Sequence, residues 1–461
     1  MRADGRSDEV ADGVLEVALD AREPVSARKS ALAEALTAAT ETILTRPGVR
    51  VAVLHLGANA AEEQPRPDTR ARAEAECRAE QAAVERLAAL PVPVVAHLSN
   101  RVTGPLFEIA VACSARVASP GTRVGLDDLA VGLAPRLGGL RRITQLAGLD
   151  VAVELGARGT IVDAVRAQEL GLVDAIADQE RARERALSLI SLPRAASRRR
   201  RSLGASLRTR APIDDVRAAL RARHDVGFPA ELAIVDLLEA ICDGEDTAAI
   251  EVRGFGELVL STTARNLRAL RRAARSSEVS GLEPGATSPL VTRLLAHGLS
   301  YAADAAAVSR PNETFVWQIF EPLHQETRAL VKDGVAPARV ETALADWGLE
   351  RELRLGPGAG AGTKIARELI QMRCVLPLVA EALRALEEGR ISSADQGDVA
   401  SVFLGGFPAF RGGVFRYVDD VGAAELRERL LVFAREFGPR YAPPALLDRL
   451  ARDDGRIHAA P

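Results

Sequence analysis

Apolar and polar positions follow two different periodicities in the first part of the chain. Two mostly apolar runs, VRVAVLHLG (49–57) and PVPVVAHL (91–98), are typical of buried strands, whereas RARAEAECRAEQAAVERLAAL (70–90) has the spacing of an amphipathic helix. A helix over FEIAVACSARVA (107–118) and an extended segment with turns over RVGLDDLAVGLAP (123–135) are predicted next. Strands that alternate with helices predict an α/β domain with parallel strands.

The pattern changes after Leu192. The segment PRAASRRRRSLGASLRTRAP (193–212) is basic and loop-like, and its run Arg198–Arg201 is either a solvated linker or a phosphate-binding patch. Helical spacing then dominates from residue 214 to 275, and SSEVSGLEPGATSP (276–289) is typical of a second linker.

The remaining sequence is predicted to be almost wholly helical, in two pieces separated by LGPGAGAGT (355–363). WQIFEPLHQETRALVKDGVAPARVETALADWGL (317–349) and RCVLPLVAEALRALEEGRISSADQGDVASVFLGGFP (373–408) each contain an apolar helix with an interior proline, then a glycine and a second helix. This likeness predicts an internal duplication in which packing one copy against the other buries both apolar faces.

Length and composition narrow the class of protein. A chain of 461 residues, 47% hydrophobic and 27% charged, is expected to form two or three globular domains. A formal charge of -3 favours neither nucleic acid nor anionic lipid as a partner. The cysteines Cys77, Cys113, Cys242 and Cys374 never stand in CxxC spacing, so we expect buried thiols and no metal site. The sequence has no signal-peptide pattern and no apolar run of about 18–20 residues, which predicts a cytoplasmic protein without a membrane span.

Several of these segments resemble known families. The stretch from VVAHLSNRVTGPLFE to RRITQLAG (94–148), followed by GARGTIVDAVRAQELGLVDAI (156–176), resembles the crotonase, or enoyl-CoA hydratase/isomerase, superfamily. GFPAFRGGVFRYVDDVG (406–422) resembles the C-terminal helical domain of 3-hydroxyacyl-CoA dehydrogenases. The segment from FPAELAIVDLL to TTARNLRAL (228–270) is similar to the helical linker of the fatty acid β-oxidation α-subunit, in which all three occur together.

The resemblance implies an α/β crotonase-like N-terminal domain, built as a ββα superhelix, followed by an all-α C-terminal region with two helical repeats. The expected parts are an acyl-thioester domain, a basic loop with linker helices, and the first and second helical repeats, at residues 1–192, 193–285, 286–365 and 366–461. In the α-subunit a Rossmann domain follows the linker. Here no strand with GxGxxG and a helix fits between Arg275 and Ser288, and the glycines at 356–362 follow a charged segment. We therefore expect neither NAD binding nor dehydrogenase activity.

The crotonase resemblance also implies an acid/base pair. Hydratases of this superfamily usually have two glutamates that move protons at the α and β carbons of an acyl thioester. Glu108 matches the first of them, and Asp128 matches the second, with Asp127 where the family has a proline. Asp is one methylene shorter than Glu, and a displacement near 1 Å can cost on the order of a hundredfold in rate.

The superfamily further uses two backbone N–H groups to bind the thioester oxygen, one of them at a helix N-terminus. Its glycine triplet corresponds to Gly104, Pro105 and Leu106, so that the donating middle glycine falls on a proline without an N–H. The N–H of Leu106 or of Gly104 is the alternative donor. The second donor is assigned to Gly57 and Ala58 in the loop HLGANAAEEQ.

Each candidate also has a purely structural interpretation. Pro105 suits the first position of a helix, and the negative charge of Glu108 is favourable near a helix N-terminus. The dipeptide Asp127–Asp128 is of a type that is common in turns. His97 and His55 are interpreted as packed histidines of the core rather than as bases.

Two functions follow from these alternatives. The first is an acyl-thioester hydratase/isomerase-type lyase that works through an enolate, with Glu108 as general acid/base and Asp128 as helper, and without dehydrogenase activity. The second is a catalytically degenerate acyl-CoA-binding or scaffold protein. The substrate is expected to be an acyl group on CoA or on a carrier protein, with no separate cofactor and no metal. A homo-oligomer is expected, and a thiolase-like protein is a further candidate partner.

Overall fold

The structure, a computed structural model, describes residues 13–19, 30–57, 67–191, 210–222, 228–275, 310–349 and 365–458. The chain divides into two compact units. Unit 1 contains Met1–Leu220 and Pro229–Ser261, and unit 2 contains Arg221–Phe228 and Thr262–Pro461. No helix in the described part of the chain is both long enough and apolar enough to cross a membrane.

The centre of unit 1 is a parallel five-stranded sheet. Its strands, in spatial order, are β1 (Val14–Ala18), β2 (Val51–Leu56), β3 (Val94–Leu98), β5 (Ala115–Ala118) and β8 (Ala175–Ile176). Parallel neighbours need crossover connections, and here these include α1 (Ala31–Thr45), α2 (Arg70–Ala88) and α3 (Pro105–Ala112). The apolar residues Val53, Val95 and Ala115 lie side by side on β2, β3 and β5, and all three are buried. The expected α/β domain with parallel strands is confirmed.

A smaller three-stranded sheet contains β4 (Arg101–Thr103) and β6 (Arg123–Gly125), the strands that precede the candidate site residues in the chain. In it, β4 pairs in parallel with β6, and β6 pairs antiparallel with β7 (Ile161–Asp163). The other helical elements of this part are a 3₁₀ turn (Asp128–Val131), α4 (Gly139–Ala147), α5 (Leu149–Ala152) with a π turn (Val153–Ala157), α6 (Ala164–Glu169) and α7 (Gln179–Ser191).

Two helices that follow later in the chain also pack in unit 1. After α8 (Ala211–Ala222), the helices α9 (Pro229–Asp243) and α10 (Ala248–Leu258) lie against the α/β part, with α10 against α2. These helices belong to residues 193–285, which are predicted to form a separate part of the chain with a basic loop and linker helices. The four domain limits proposed there stay predictions.

Unit 2 is helical throughout its described residues. Its helices are α11 (Thr262–Arg275), α12 (Arg310–Lys332), α13 (Pro337–Trp347), α14 (Arg367–Glu387), α15 (Ala394–Phe403), α16 (Val414–Val421), α17 (Ala423–Phe437) and α18 (Ala445–Arg452). Both α12 and α14 contain an interior proline, Pro322 and Pro377, and these two helices pack against each other. A helical C-terminal region is thereby confirmed.

Some local predictions need correction. The predicted helix over 107–118 ends at Ala112, and Ala115–Ala118 instead form strand β5. A short apolar run does not distinguish a buried strand from a buried helix, and its place between β3 and β8 decides the outcome. The patch Arg198–Arg201, the linker at 276–289 and the glycine-rich segment at 355–363 lie outside the described residues.

Candidate active site

The turn that joins β4 to α3 is shaped by Gly104. Its φ of 57° and ψ of -133° are readily adopted only by glycine, and an added Cβ would lie 2.9 Å from Asp127 Oδ1. The N–H of Gly104 donates to the carbonyl of Gly125 at 3.0 Å, which continues the pairing of β4 with β6. This amide is therefore already engaged and is not available to a thioester oxygen without breaking that hydrogen bond.

Helix α3 begins at Pro105, as the sequence predicts for a proline at the first helical position. The N–H groups of Phe107 and Glu108 both donate to the carbonyl of Gly104 at 3.0 Å. The N–H of Leu106 has no acceptor among the described residues. Of the two alternative donors in the turn, Leu106 is thus the one whose N–H remains open at a helix N-terminus.

Glu108 lies on α3 and is completely buried. Its Oε1 accepts from the N–H of Arg136 at 3.1 Å, and its Oε2 accepts from Leu137 at 2.8 Å and from Gly139 at 2.9 Å. Because α4 begins at Gly139, the carboxylate also satisfies free amides at a helix N-terminus.

A second buried carboxylate reaches the same helix end. Glu251 on α10 accepts from the N–H of Gly138 at 2.9 Å and from Gln81 Nε2 at 3.2 Å. Burial raises the pKa of Glu251 to about 7, although its hydrogen bonds oppose the shift. Burial, followed by the charge of Glu251, also raises the pKa of Glu108 above its usual range.

Asp128 starts the 3₁₀ turn and is likewise buried. Its Oδ1 and Oδ2 lie 3.8 Å and 3.5 Å from the position that a Cβ on Gly104 would take, so it faces the start of α3. No residue of the described chain makes a hydrogen bond to Oδ2. Burial, and then the charge of Glu108, raise the pKa of Asp128. The two carboxyl groups that the sequence selected are therefore electrostatically coupled in one buried site.

Arg136 is the main residue that the sequence analysis did not select. Its Nε donates to Glu80 Oε2 at 2.9 Å, its Nη1 lies 3.8 Å from Asp128 Oδ1, and its guanidinium covers the ring of Phe255 at 4.5 Å. Both Arg136 and Glu80 are almost completely buried. The guanidinium supplies positive charge beside Asp128, while its backbone N–H holds Glu108.

The sequence did contain a signal for Glu80. On α2 the buried positions include Ala73, Cys77, Val84 and Leu87, and Glu80 falls on the same stripe at helical spacing. A carboxylate on an apolar stripe needs a buried partner, which here is Arg136.

The residues assigned to the second oxyanion donor are only partly described. Gly57 directly follows β2, and an added Cβ would lie 3.0 Å from Ser99 Oγ. The backbone of Gly57 therefore runs close to the turn between β3 and β4. Ala58 lies outside the described residues.

The two histidines form a polar row across the larger sheet. His55 Nδ1 and His97 Nδ1 are 3.0 Å apart, His97 Nε2 lies 3.1 Å from Ser119 Oγ, and His55 Nε2 lies 3.3 Å from Glu16 Oε2. Both side chains are packed, as expected, and they are also hydrogen-bonded to each other.

The chain is similar to a known protein family and to several curated proteins. Residues 9–226 match the enoyl-CoA hydratase/isomerase family model. The chain is similar to fatty acid oxidation complex subunit alpha of Vibrio parahaemolyticus, with 43% identity over 98 residues, which are 21% of this chain and 13% of that protein. It is similar to the Shewanella loihica subunit with 40% identity over 121 residues, which are 26% of this chain and 17% of that protein. The matched segments thus span less than a fifth of these curated relatives.

Two solved structures are also similar. One is an enoyl-CoA hydratase/isomerase family protein from Silicibacter pomeroyi, with 19% identity, a TM-score of 0.35, and coverage of 51% of this chain and 96% of that one. The other is an enoyl-CoA hydratase/isomerase from Xanthobacter autotrophicus Py2, with 19% identity, a TM-score of 0.37, and coverage of 57% and 91%.

The first part of the chain is therefore an α/β domain with a buried carboxylate site beside a helix N-terminus. Residues 9–226 match the enoyl-CoA hydratase/isomerase family model, so this part of the chain is a crotonase-like domain, and it is followed by a helical C-terminal region.

Proposed function

We propose that the crotonase domain acts on an acyl thioester as a hydratase/isomerase-type lyase that works through an enolate. The observation that carries this proposal is the buried pair of Glu108 and Asp128 beside the open N–H of Leu106. A carboxyl pair supplies proton transfer, and an amide at a helix N-terminus supplies stabilisation of negative charge, which are the two requirements of enolate chemistry.

The geometry supports the following roles. The N–H of Leu106 binds the thioester oxygen, where one donor is worth about 2.7–4 kcal/mol in the transition state. Glu108, held by three backbone amides, exchanges the proton at the α carbon. Burial raises the pKa values of both Glu108 and Asp128 toward neutral pH, which suits one carboxyl group to act as an acid and the other as a base.

The proposed substrate is an unsaturated or 3-oxygenated acyl group, on CoA or on an acyl carrier protein. In hydration, a carboxylate takes a proton from water as the water oxygen bonds to the β carbon, and the electron pair of the C=C bond moves onto the thioester oxygen as an enolate. A carboxyl group then gives a proton to the α carbon as the thioester carbonyl re-forms. Isomerisation needs only removal of a proton at one carbon and its return at another. The proposal involves no NAD and no dehydrogenase step, because no dinucleotide-binding pattern occurs between the linker helices and the helical repeats. A homo-oligomer and a thiolase-like partner stay predictions.

A specific observation favours the second candidate, a degenerate acyl-CoA-binding or scaffold protein. Both oxygens of Glu108 already accept backbone hydrogen bonds, and the guanidinium of Arg136 lies beside Asp128. In addition, Pro105 removes the amide that the family places beside its first glutamate.

The test is turnover of crotonyl-CoA and of longer 2-enoyl-CoA esters, followed by loss of the conjugated thioester absorbance. Glu108→Gln is expected to lower kcat by about 10²–10⁴. Glu257→Gln is the control, because the side chain of Glu257 is 56% exposed on α10 and lies outside the carboxylate site. Equal activity in all three proteins would refute the role of Glu108, and tight ester binding by the wild type without turnover would support the second candidate.

A further inference from the structure

A cluster of one histidine and three aspartates lies in unit 2, far in sequence from the crotonase site. His458 Nε2 is 3.1 Å from Asp398 Oδ2 and 3.5 Å from Asp395 Oδ1, and these three atoms all lie within 4.8 Å of one another. On the other side of the ring, His458 Nδ1 lies 2.8 Å from Asp419 Oδ2.

Each of these side chains is oriented by a separate set of hydrogen bonds. Asp398 Oδ1 accepts from the N–H of Phe415 at 2.6 Å and of Arg416 at 3.3 Å, at the start of α16, which turns Oδ2 toward His458. Asp398 is almost completely buried, and its Oδ2 faces His458 Nε2 at 3.1 Å and Arg416 Nε at 3.8 Å.

The imidazole is held in the matching orientation. Asp419 accepts from the N–H of Ile457 at 2.7 Å and of His458 at 3.0 Å, so the backbone of the segment after α18 is fixed to α16. When Nδ1 carries the proton and donates to Asp419, Nε2 presents its lone pair to Asp395 and Asp398. In this tautomer Nε2 is a buried acceptor that faces two carboxylate oxygens, at 3.1 Å and 3.5 Å, with no proton between them. A carboxylate that orients a histidine in this way is the usual support of a metal-ligating imidazole.

We propose that Asp395, Asp398 and His458 bind a divalent transition-metal ion, with Zn²⁺ as the expected occupant, through Asp395 Oδ1, Asp398 Oδ2 and His458 Nε2. Two N or O ligands of a tetrahedral zinc ion lie about 3.3–3.6 Å apart, from bond lengths of about 2.0–2.2 Å. The separations of 3.1 Å and 3.5 Å from His458 Nε2 are close to this edge length. Water completes the fourth position.

The charges of the cluster suit a divalent cation. Three carboxylates face one arginine, since Arg416 Nη2 donates to Asp395 Oδ1 at 3.0 Å and its Nε lies 3.8 Å from Asp398 Oδ2. The arginine reduces the negative charge without cancelling it, so three carboxylates and one guanidinium surround the imidazole with about two net negative charges. The ion fastens the segment after α18 to α15, so its role is structural.

No metal site is expected from the sequence, because its four cysteines never stand in CxxC spacing. Asp395, Asp398 and His458 show no metal-binding spacing along the chain, and only the packing of α15, α16 and the last described segment brings them together.

The test is Zn²⁺ binding to the full chain after removal of metals with a chelator, measured by calorimetric titration and by metal analysis after desalting. We expect one Zn²⁺ per chain, and a rise in the melting temperature of unit 2 of about 5–10 °C when Zn²⁺ is a hundredfold above its Kd. Asp395→Asn and His458→Gln are expected to weaken binding about tenfold or more, and Asp419→Asn about 10–100-fold. Asp453→Asn, an exposed carboxylate outside the cluster, is expected to bind Zn²⁺ like the wild type.

Two results would overturn the proposal. One is Zn²⁺ binding that is unchanged in both Asp395→Asn and His458→Gln, with circular dichroism showing folded variants. The other is a wild-type chain that binds no Zn²⁺ while His458→Gln still lowers the melting temperature. In that case the cluster is an ion pair between a protonated histidine and carboxylates. Because the side chain of Asp395 is 48% exposed, Asp395→Asn keeps the test valid even if His458→Gln fails to fold.

Discussion

The backbone N–H of Gly139 donates to Glu108 Oε2 at 2.9 Å, and α4 begins at that glycine. The carboxylate that the sequence assigns to proton transfer is therefore also part of the framework, since it holds the end of a neighbouring helix. Activity and stability must be measured separately for any substitution at this position.

Glu108→Gln is expected to lower the free energy of unfolding by about 1–3 kcal/mol, in addition to its effect on activity. An amide offers one acceptor oxygen where the carboxylate offers two, so at least one buried N–H among Arg136, Leu137 and Gly139 loses its acceptor. Urea unfolding measures the change. Glu41→Gln on the exposed face of α1 is the control, and a loss no larger than that of the control would contradict the capping role.

Pro105→Ala restores an N–H at the first position of α3. We expect the rate of enolate formation to rise by about tenfold or more, because a second donor then lies beside Leu106 and single donors are worth about 10²–10³ in comparable sites. Pro337→Ala is the matched control, since Pro337 also occupies the first position of a helix, α13. A Pro105→Ala variant that is folded and no faster than the wild type would show that the amide at this position does not contact the thioester oxygen.

Arg136→Met is expected to cost about 3–5 kcal/mol of folding stability, because it leaves the buried carboxylate of Glu80 without a counter-charge and with the hydroxyl of Ser30 as its remaining donor. Arg141→Met serves for comparison. The pair of Arg141 and Glu85 is 3.6 Å apart and largely exposed, so its loss is expected to cost less than about 1 kcal/mol. Chemical denaturation of both variants measures the difference, and similar losses would mean that the buried pair contributes no more than a surface pair.

Stability is expected to fall as the pH rises through neutrality. Burial raises the pKa of Glu251 from its ordinary value of 4.5 to about 7 in the folded protein, so its contribution to stability is fully present below about pH 4.5 and lost as the pH rises through about 7. This shift corresponds to about 3 kcal/mol. The raised pKa values of Glu108 and Asp128 act in the same direction.

Glu251→Gln is expected to flatten part of this pH dependence when melting temperatures are compared between pH 5 and pH 8. Glu257→Gln, whose side chain is 56% exposed, is the control and should follow the wild type. A melting temperature that rises from pH 5 to pH 8 in the wild type would contradict the proposed ionisation of these buried groups.

Much of the architecture was predictable because its signals are local. The strands around His55 and His97 and the helix around Cys77 follow from short-range periodicity, and so does the start of α3 at Pro105. The strand Ala115–Ala118 was not predictable in the same way, because only its neighbours in the sheet distinguish it from the end of a helix.

The candidate site was predictable only in part. Glu108 and Asp128 follow from the resemblance, and the structure brings both to the start of α3 and the loop before α4. Arg136 gave no signal of its own, because an arginine in a loop is ordinarily exposed, and its burial depends on Glu80 from another helix. The engagement of the Gly104 amide depends on strand pairing between β4 and β6, which its sequence does not specify.

The most direct test of the central claim is exchange of the α protons of a saturated acyl-CoA, such as butyryl-CoA, in D₂O, because this exchange requires an enolate but no hydration. Mass spectrometry of the recovered ester measures it. We predict deuterium at the α carbon with the wild type and with Glu257→Gln, whose side chain is exposed, and a loss of about a hundredfold or more with Glu108→Gln. Stoichiometric binding of the ester by the wild type without any exchange would contradict it.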